Sequence, residues 1–196
     1  EGRSGKLTRL NEILDAVFAS GERILIFTHF ATWGERLATY LTQRTGITID
    51  CYHGGLTRGT RDRLVENFQN GTGPGAMVLS LKAGGTGLNL TAASHVVLYD
   101  RWWNPAVEDQ AINRAHRIGQ QNPVLVTKYI CRDTIEERID RVLQQKRELF
   151  RAILGDSEVG NASLSLSAQD IFGLFDLKTG QGDQLRSIAP PTAELP

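Results

Sequence analysis

The sequence predicts an α/β fold: a parallel sheet with helices on both faces. Three observations lead there. Short apolar runs rich in branched residues alternate about five times with segments of helical period. The loops between them are short, as crossover connections in such sheets require. The residues with chemical capacity (Thr28-His29, His53-Gly54-Gly55, Lys82 to Gly87, Asp100 to Asn104) each follow a predicted strand, where ligands meet sheets of this kind.

Leu7, Leu10, Ile13, Leu14, Val17 and Phe18 repeat at helical spacing and predict a helix over 6–19, with Gly21 as its stop. RILIFT, 23–28, is short enough for a buried strand. A second helix runs over about 32–44 and ends at Gly46, and the branched residues of 47–52 predict a second strand. Residues 60–68 read as a helix closed by Asn70-Gly71. Strands follow over 76–81 and 95–99, and Pro105 opens a helix that runs to about Arg117. The fifth strand covers 124–130. Thr134 and Glu137 fit a capping box for the last long helix, which Gly155 would stop. Residues 156–166 read as a linker and 168–177 as a short amphipathic helix with Ile171, Phe172, Leu174 and Phe175. The tail from Lys178, with Pro190, Pro191 and Pro196, has no period and is expected to be loose.

The 196 residues are 40% hydrophobic and 22% charged, which fits a globular chain and excludes wholesale disorder. No run of about 18 apolar residues is present, so no membrane helix is expected. The N-terminal EGRSGKLTRL has no signal-peptide core and reads as a position inside a longer protein. Cys51 and Cys131 form neither a disulfide framework nor a zinc spacing, which points to a reducing, cytoplasmic compartment. The net charge of zero excludes nucleic-acid binding by bulk charge, not by a local basic face. Residues 101–151 carry 10 basic and 7 acidic side chains, whereas 152–196 carry 2 and 6, so the basic excess sits in the middle of the chain.

Lys82-Ala-Gly-Gly-Thr-Gly-Leu-Asn-Leu90 lets backbone amides approach a phosphate, or is simply a flexible turn. It is not a dinucleotide fingerprint, because Leu90 stands where the third glycine is needed, and no GxxxxGK cradle occurs in the chain. Arg114 and Arg117, three apart with Gln110 one turn before, would share a helix face and converge on a phosphoryl group. An ordinary charged surface helix is the alternative. In Asp100-Arg-Trp-Trp-Asn-Pro105 the two adjacent tryptophans cannot easily both point inward. His53-Gly-Gly-Leu-Thr57, followed by Arg58, Arg61 and Arg63, offers a helix N-terminus to a phosphate or is a plain cap. His29, His95 and His116 have no metal-ligand spacing and read as structural.

The pieces IFTHF, YHGGLTRGTRDRLVENFQ, LSLKAGGTGLNLTAASHVVLYDRWWNPAVEDQA and NRAHRIGQ, in this order, resemble the second RecA-like lobe of SWI/SNF-type ATPases of helicase superfamily two, in a bacterial-looking version. The resemblance runs from about Gly21 to about Arg141. TIEERI, 134–139, resembles the helix that closes the motor, and SAQDIFGLF a C-terminal element of bacterial members. The implied organisation is a leading helix over 1–20, the lobe with its closing helix over 21–155, a linker and amphipathic helix over 156–178, and a tail over 179–196.

The resemblance implies roles residue by residue. Arg114 and Arg117 match the arginine fingers that reach the ATP phosphates. Gln110 matches the glutamine opening the same motif, and Gly85, Gly87 and Asn89 match the glycine-rich motif lining the cleft between lobes. Thr28, Thr57, Ser80 and Lys82 fall where the family touches the DNA backbone. Trp103 matches the tryptophan that links DNA to the ATP cleft. His29 stands where glutamine is common, and Asn113 where bacterial members commonly have a carboxylate. The implied function is half of an ATP-dependent translocase on double-stranded DNA, near the bacterial nucleoid. ATP and magnesium would be held mainly by a first lobe, without which this lobe is expected to be inactive. Two rival readings are a non-catalytic DNA- or partner-binding platform, which has no need of both arginines, and a lobe of a strand-separating helicase, which the WWNP turn disfavours.

Overall fold

Alternation along one strand organises the molecule. In β1 (Arg23–Thr28), Ile24 and Ile26 point to one apolar cluster and Leu25 and Phe27 to another, all of them 0% exposed. A strand buried on both faces belongs at the centre of a parallel sheet. The computed structural model, which describes residues 4–83, 87–102, 104–120 and 122–154, places it there. The sheet is β2 (Asp50–Tyr52), β3 (Gly75–Ser80), β1, β4 (His95–Leu98) and β5 (Leu125–Lys128), in that order and parallel throughout.

Helices α1 (Gly5–Ala19) and α2 (Ala31–Thr45) cover the first face with Leu10, Leu14, Val17, Leu37, Ala38 and Leu41. Helices α3 (Arg58–Asn70) and α4 (Pro105–Ala115) cover the second with Leu64, Phe68, Ala111 and Ala115. Right-handed crossovers account for the split. The chain moves outward from β1 to β2 through α2, but back toward the centre through α3 and on through α4. The expected fold class, a parallel sheet with helices on both faces, is the observed one.

Most elements lie within two residues of their expected positions, and the exceptions have physical causes. β2 starts three residues late. The backbone N–H of Ile49 donates to Thr42 Oγ1 at 2.9 Å and that of Ile47 to Thr45 Oγ1 at 3.2 Å, so two hydroxyls at the end of α2 take donors a strand would need. Helix α4 stops at Ala115 rather than near Arg117. Gln120 Nε2 donates to Ala115 O at 3.2 Å, and also to Thr91 O and Ala93 O, capturing the carbonyl that would extend the helix. The capping box of α5 (Ile135–Leu154) is shifted. Thr134 Oγ1 accepts from Glu136 N, while Glu137 reaches back one residue further than expected, to the N–H of Asp133. Asp133 has φ +57°, and this left-handed turn displaces the reciprocal bond.

Gly85, Trp103 and Gly155, together with the linker, the amphipathic helix over 168–177 and the tail, lie outside the described residues. No described helix is long and apolar enough to cross a membrane.

Candidate functional site

Two groups of residues stand out, one at the end of α4 and one at the carboxyl edge of the sheet. In the first, Arg114 near the end of α4 is 5% exposed. The N–H of Leu90 donates to the carbonyl of Arg114 at 3.0 Å, which fixes the 87–90 segment against the helix. Arg117 lies beyond the helix, in the turn, and its Nη1 donates to Gly87 O at 3.4 Å. Gly87 has φ +71°, a backbone state that suits glycine. The two arginines thus sit on helix and turn rather than on one helix face.

Burial pushes the Arg114 guanidinium below its usual range, the positive charge of Arg117 lowers it further, and Tyr52 opposes the shift. Arg114 Nε is buried without a hydrogen-bond partner. No carboxylate among the described residues forms an ion pair with Arg114. A buried cation beside a second cation, with a donor unused, is an arrangement that an anion would relieve. Asn89 is exposed and joins Arg117 and Ile118 around a shallow depression, and Gln110 is exposed on α4.

The second group surrounds Asp100. Thr28 Oγ1 donates to Asp100 Oδ2 at 2.6 Å, and the backbone N–H of His29 donates to the same oxygen at 3.1 Å. The His29 ring stacks on Trp102, centroids 3.5 Å apart at 18°. Burial lowers the His29 pKa first and the charge of Lys82 second, while Asp100 raises it. Thr28 and Ser80 are register partners on β1 and β3. Both are buried, and Ser80 Oγ accepts from Ala83 N at 3.3 Å. Their hydroxyls are engaged within the fold, Thr28 with Asp100 and Ser80 with the Ala83 N–H. Lys82 is exposed. Thr57 is the exposed N-cap of α3, its hydroxyl accepting from Thr60 N at 3.2 Å.

Sequence reasoning missed a charge cluster beside the Asp100 group. Arg101 Nη1 meets Glu108 at 2.7 Å and Nη2 meets Asp140 at 2.6 Å, with Lys128 at 3.3 Å from Glu108. It also missed Asp100 as the residue that closes the end of β1. Their partners lie up to 72 residues away, so no local spacing marks them. Among the described residues no group of three or more His, Cys, Asp or Glu side chains is arranged to hold a metal ion.

The family model described as the helicase conserved C-terminal domain matches residues 5–119. YwqA of Bacillus subtilis, provisionally named an ATP-dependent helicase/translocase, is 48% identical over 176 residues, which is 90% of this chain and 19% of that protein. The SWI2/SNF2 ATPase C-terminal domain of Sulfolobus solfataricus superposes with a TM-score of 0.64 at 35% identity, over 89% of this chain and 70% of that one. The SWI2/SNF2 ATPase core of the same organism, solved in complex with dsDNA, gives 0.65 at 34% identity, over 89% of this chain and 36% of the core. The chain spans 19% or less of the lengths of the curated relatives it matches.

Proposed function

Because the chain belongs to the helicase conserved C-terminal domain family, as a SWI/SNF-type second RecA-like lobe of superfamily two, we propose that it is half of an ATP-dependent motor that moves along double-stranded DNA. The observation that carries this reading is Arg114. A guanidinium that is 5% exposed, with an unused Nε and Arg117 close by, is costly unless an anion comes to it.

A nucleotide phosphate fits that requirement. Arg114 and Arg117 would meet it, with the exposed Gly87 and Asn89 and the motif residues Gly85 and Gln110 lining the same cleft. ATP held by a first lobe, with its magnesium, supplies the phosphoryl group whose transfer the motor uses. The work of this chain is to bring two fixed positive charges to that group and to exclude water as the lobes close. Arginine is suited because its planar fork holds two phosphoryl oxygens at once.

The DNA side is proposed for the Asp100 group. Lys82 and Thr57, both exposed, are proposed to meet backbone phosphates together with Thr28 and Ser80. Trp103 is proposed to pass the DNA contact on to the ATP cleft. The dsDNA complex of the Sulfolobus core supports a duplex as the track. The lobe by itself is proposed to hydrolyse no ATP, since the chain has no phosphate cradle of the GxxxxGK type.

In the whole motor, Arg114→Ala and Arg117→Ala should each lower DNA-stimulated turnover by about a thousandfold, in the range a finger supplies. Arg114→Lys should not restore it. Turnover at the normal rate in either alanine variant would leave the arginines as parts of a binding platform. Strand separation measured alongside ATP hydrolysis tells a duplex translocase from an unwinding helicase.

A further inference from the structure

Arg117 stands on a loop that apolar burial does not hold in place. Residues 116–119 are all exposed, Ile118 completely so. A Cβ on Gly119 would meet nothing within 4 Å, so the loop stands clear of the body of the protein. The bond from the Arg117 side chain to Gly87 O is long, at 3.4 Å. Something else must fix where this guanidinium sits.

Gln120 closes the loop. Its backbone N–H donates to Arg117 O at 2.9 Å. Its side-chain amide reaches back and donates to Ala115 O at 3.2 Å, the carbonyl next to Arg114. The same nitrogen donates to Thr91 O at 3.1 Å and to Ala93 O at 2.8 Å. The amide oxygen accepts the N–H of Asn122 at 3.0 Å. Both ends of the amide are used, which settles the way it faces. One half-buried side chain thus ties the two ends of the Arg117 loop to each other and to the segment 91–93. That segment is anchored in turn by Gln69 of α3, which accepts from Ala92 N at 2.9 Å and donates to Thr91 Oγ1 at 3.3 Å. Leu90, just before it in the chain, is fully buried and donates its N–H to Arg114 O at 3.0 Å. The stretch that Gln120 grips is therefore continuous with the one bonded to Arg114.

We infer that Gln120 is a positioning residue for Arg117. Its amide holds the loop at one place against the 87–93 segment, so the guanidinium meets the phosphoryl group already ordered. The inference rests on the reading above, in which Arg117 meets the phosphates. Without the amide, the loop has to be ordered as the transition state forms, which raises the barrier.

The test uses the whole motor protein with Gln120→Met, which keeps the length of the side chain and removes its donors. DNA-stimulated kcat should fall about a hundredfold, the loss that a misplacement of about 1 Å causes. KM for ATP should hold, because the interaction lost is one made at the transition state. A second readout needs no nucleotide. A nitroxide on Ile118→Cys, with other reactive cysteines replaced, should give sharper, more mobile lines once Gln120 is Met. The third arm is a double-mutant cycle. Gln120→Met should cost nothing more in a protein that already carries Arg117→Ala, because the first residue acts through the second. Costs that multiply, an unchanged kcat, or an unchanged nitroxide spectrum would each overturn the inference. Should Gln120→Met not fold, Gln120→Asn takes its place in the same cycle, with an amide one methylene too short to reach all three carbonyls. Arg117→Ala by itself separates the two levels. If it turns over at the normal rate, the reading of Arg117 as a phosphate ligand falls, and the inference with it. If it is impaired and Gln120→Met is not, only the positioning role of Gln120 falls.

Discussion

At the scale of single residues, His29 shows how the sheet edge controls charge. Its ring lies flat on Trp102 and edge-on to Phe30, and Nδ1 is buried without a partner. Burial and Lys82 disfavour the imidazolium more than Asp100 favours it, so its folded pKa lies below the ordinary 6.5. A group whose folded pKa is depressed supports the fold above its unfolded pKa and ceases to do so as the pH falls through the folded value. The structure should therefore be insensitive to His29 above about pH 6.5, and the His29 contribution should be lost as the pH falls below that, through the lower folded value. An NMR titration of the ring carbons should place its midpoint below that of a free imidazole, with the Trp102 indole signal moving in the same step. A midpoint above 6.5 would show that Asp100 dominates. Nothing local in the sequence marks this residue. His29 follows a strand, but Trp102 stands 73 positions later and only the pairing of β1 with β4 brings them together.

At the scale of elements, packing sets limits that periodicity does not show. Gly34 is buried on α2, where a Cβ would lie 3.0 Å from Cys51 Sγ, 3.1 Å from Thr28 Cγ2 and 3.4 Å from Val78 Cγ1. The helix sits close on the sheet because no side chain intervenes. Alanine at an open helical site gains about 1 kcal/mol over glycine. Here the added methyl must displace the half-buried Cys51 and the buried Thr28, at a cost of about 1–3 kcal/mol. Gly34→Ala should lower the midpoint of urea unfolding, and a raised midpoint would mean that α2 shifts freely. The helix itself was legible: Leu37 and Leu41 at one-turn spacing face the core, and Gly46, at φ +71°, ends it. The strand β1 was legible to the residue, because its apolar run has no polar interruption. The end of α4 was not, since it depends on Gln120 reaching back to Ala115. The candidate site was legible in the same uneven way. The glycine segment and the two arginines carry local patterns, whereas the Arg101 cluster joins residues 7 to 39 apart in the sequence.

For the whole molecule, a net charge of zero means that long-range attraction would contribute little to the proposed DNA binding, and short-range contacts at the sheet edge would have to supply it. The proposed contacts are a lysine, a hydroxyl and backbone groups on turns, and they engage phosphates rather than base edges. Contacts of that kind fix position without selecting sequence. Two unrelated duplexes should therefore bind with equal affinity. Each neutralised phosphate adds about 0.9 to the slope of log affinity against log salt on duplex DNA, so the few contacts of one lobe predict a shallow slope. Lys82 is exposed beside His29, where its ammonium is free to meet a phosphate. Lys82→Ala in the whole motor should reduce the slope by about one unit on both duplexes alike, whereas loss of a base contact would weaken only one of them. Loss of the lysine should also raise the His29 midpoint, because the charge that lowers it is gone. Salt-titrated binding of wild type and variant to both duplexes measures the first effect, and the ring titration measures the second. A marked preference for one duplex, or an unchanged slope in the variant, would move the DNA track away from this edge of the sheet.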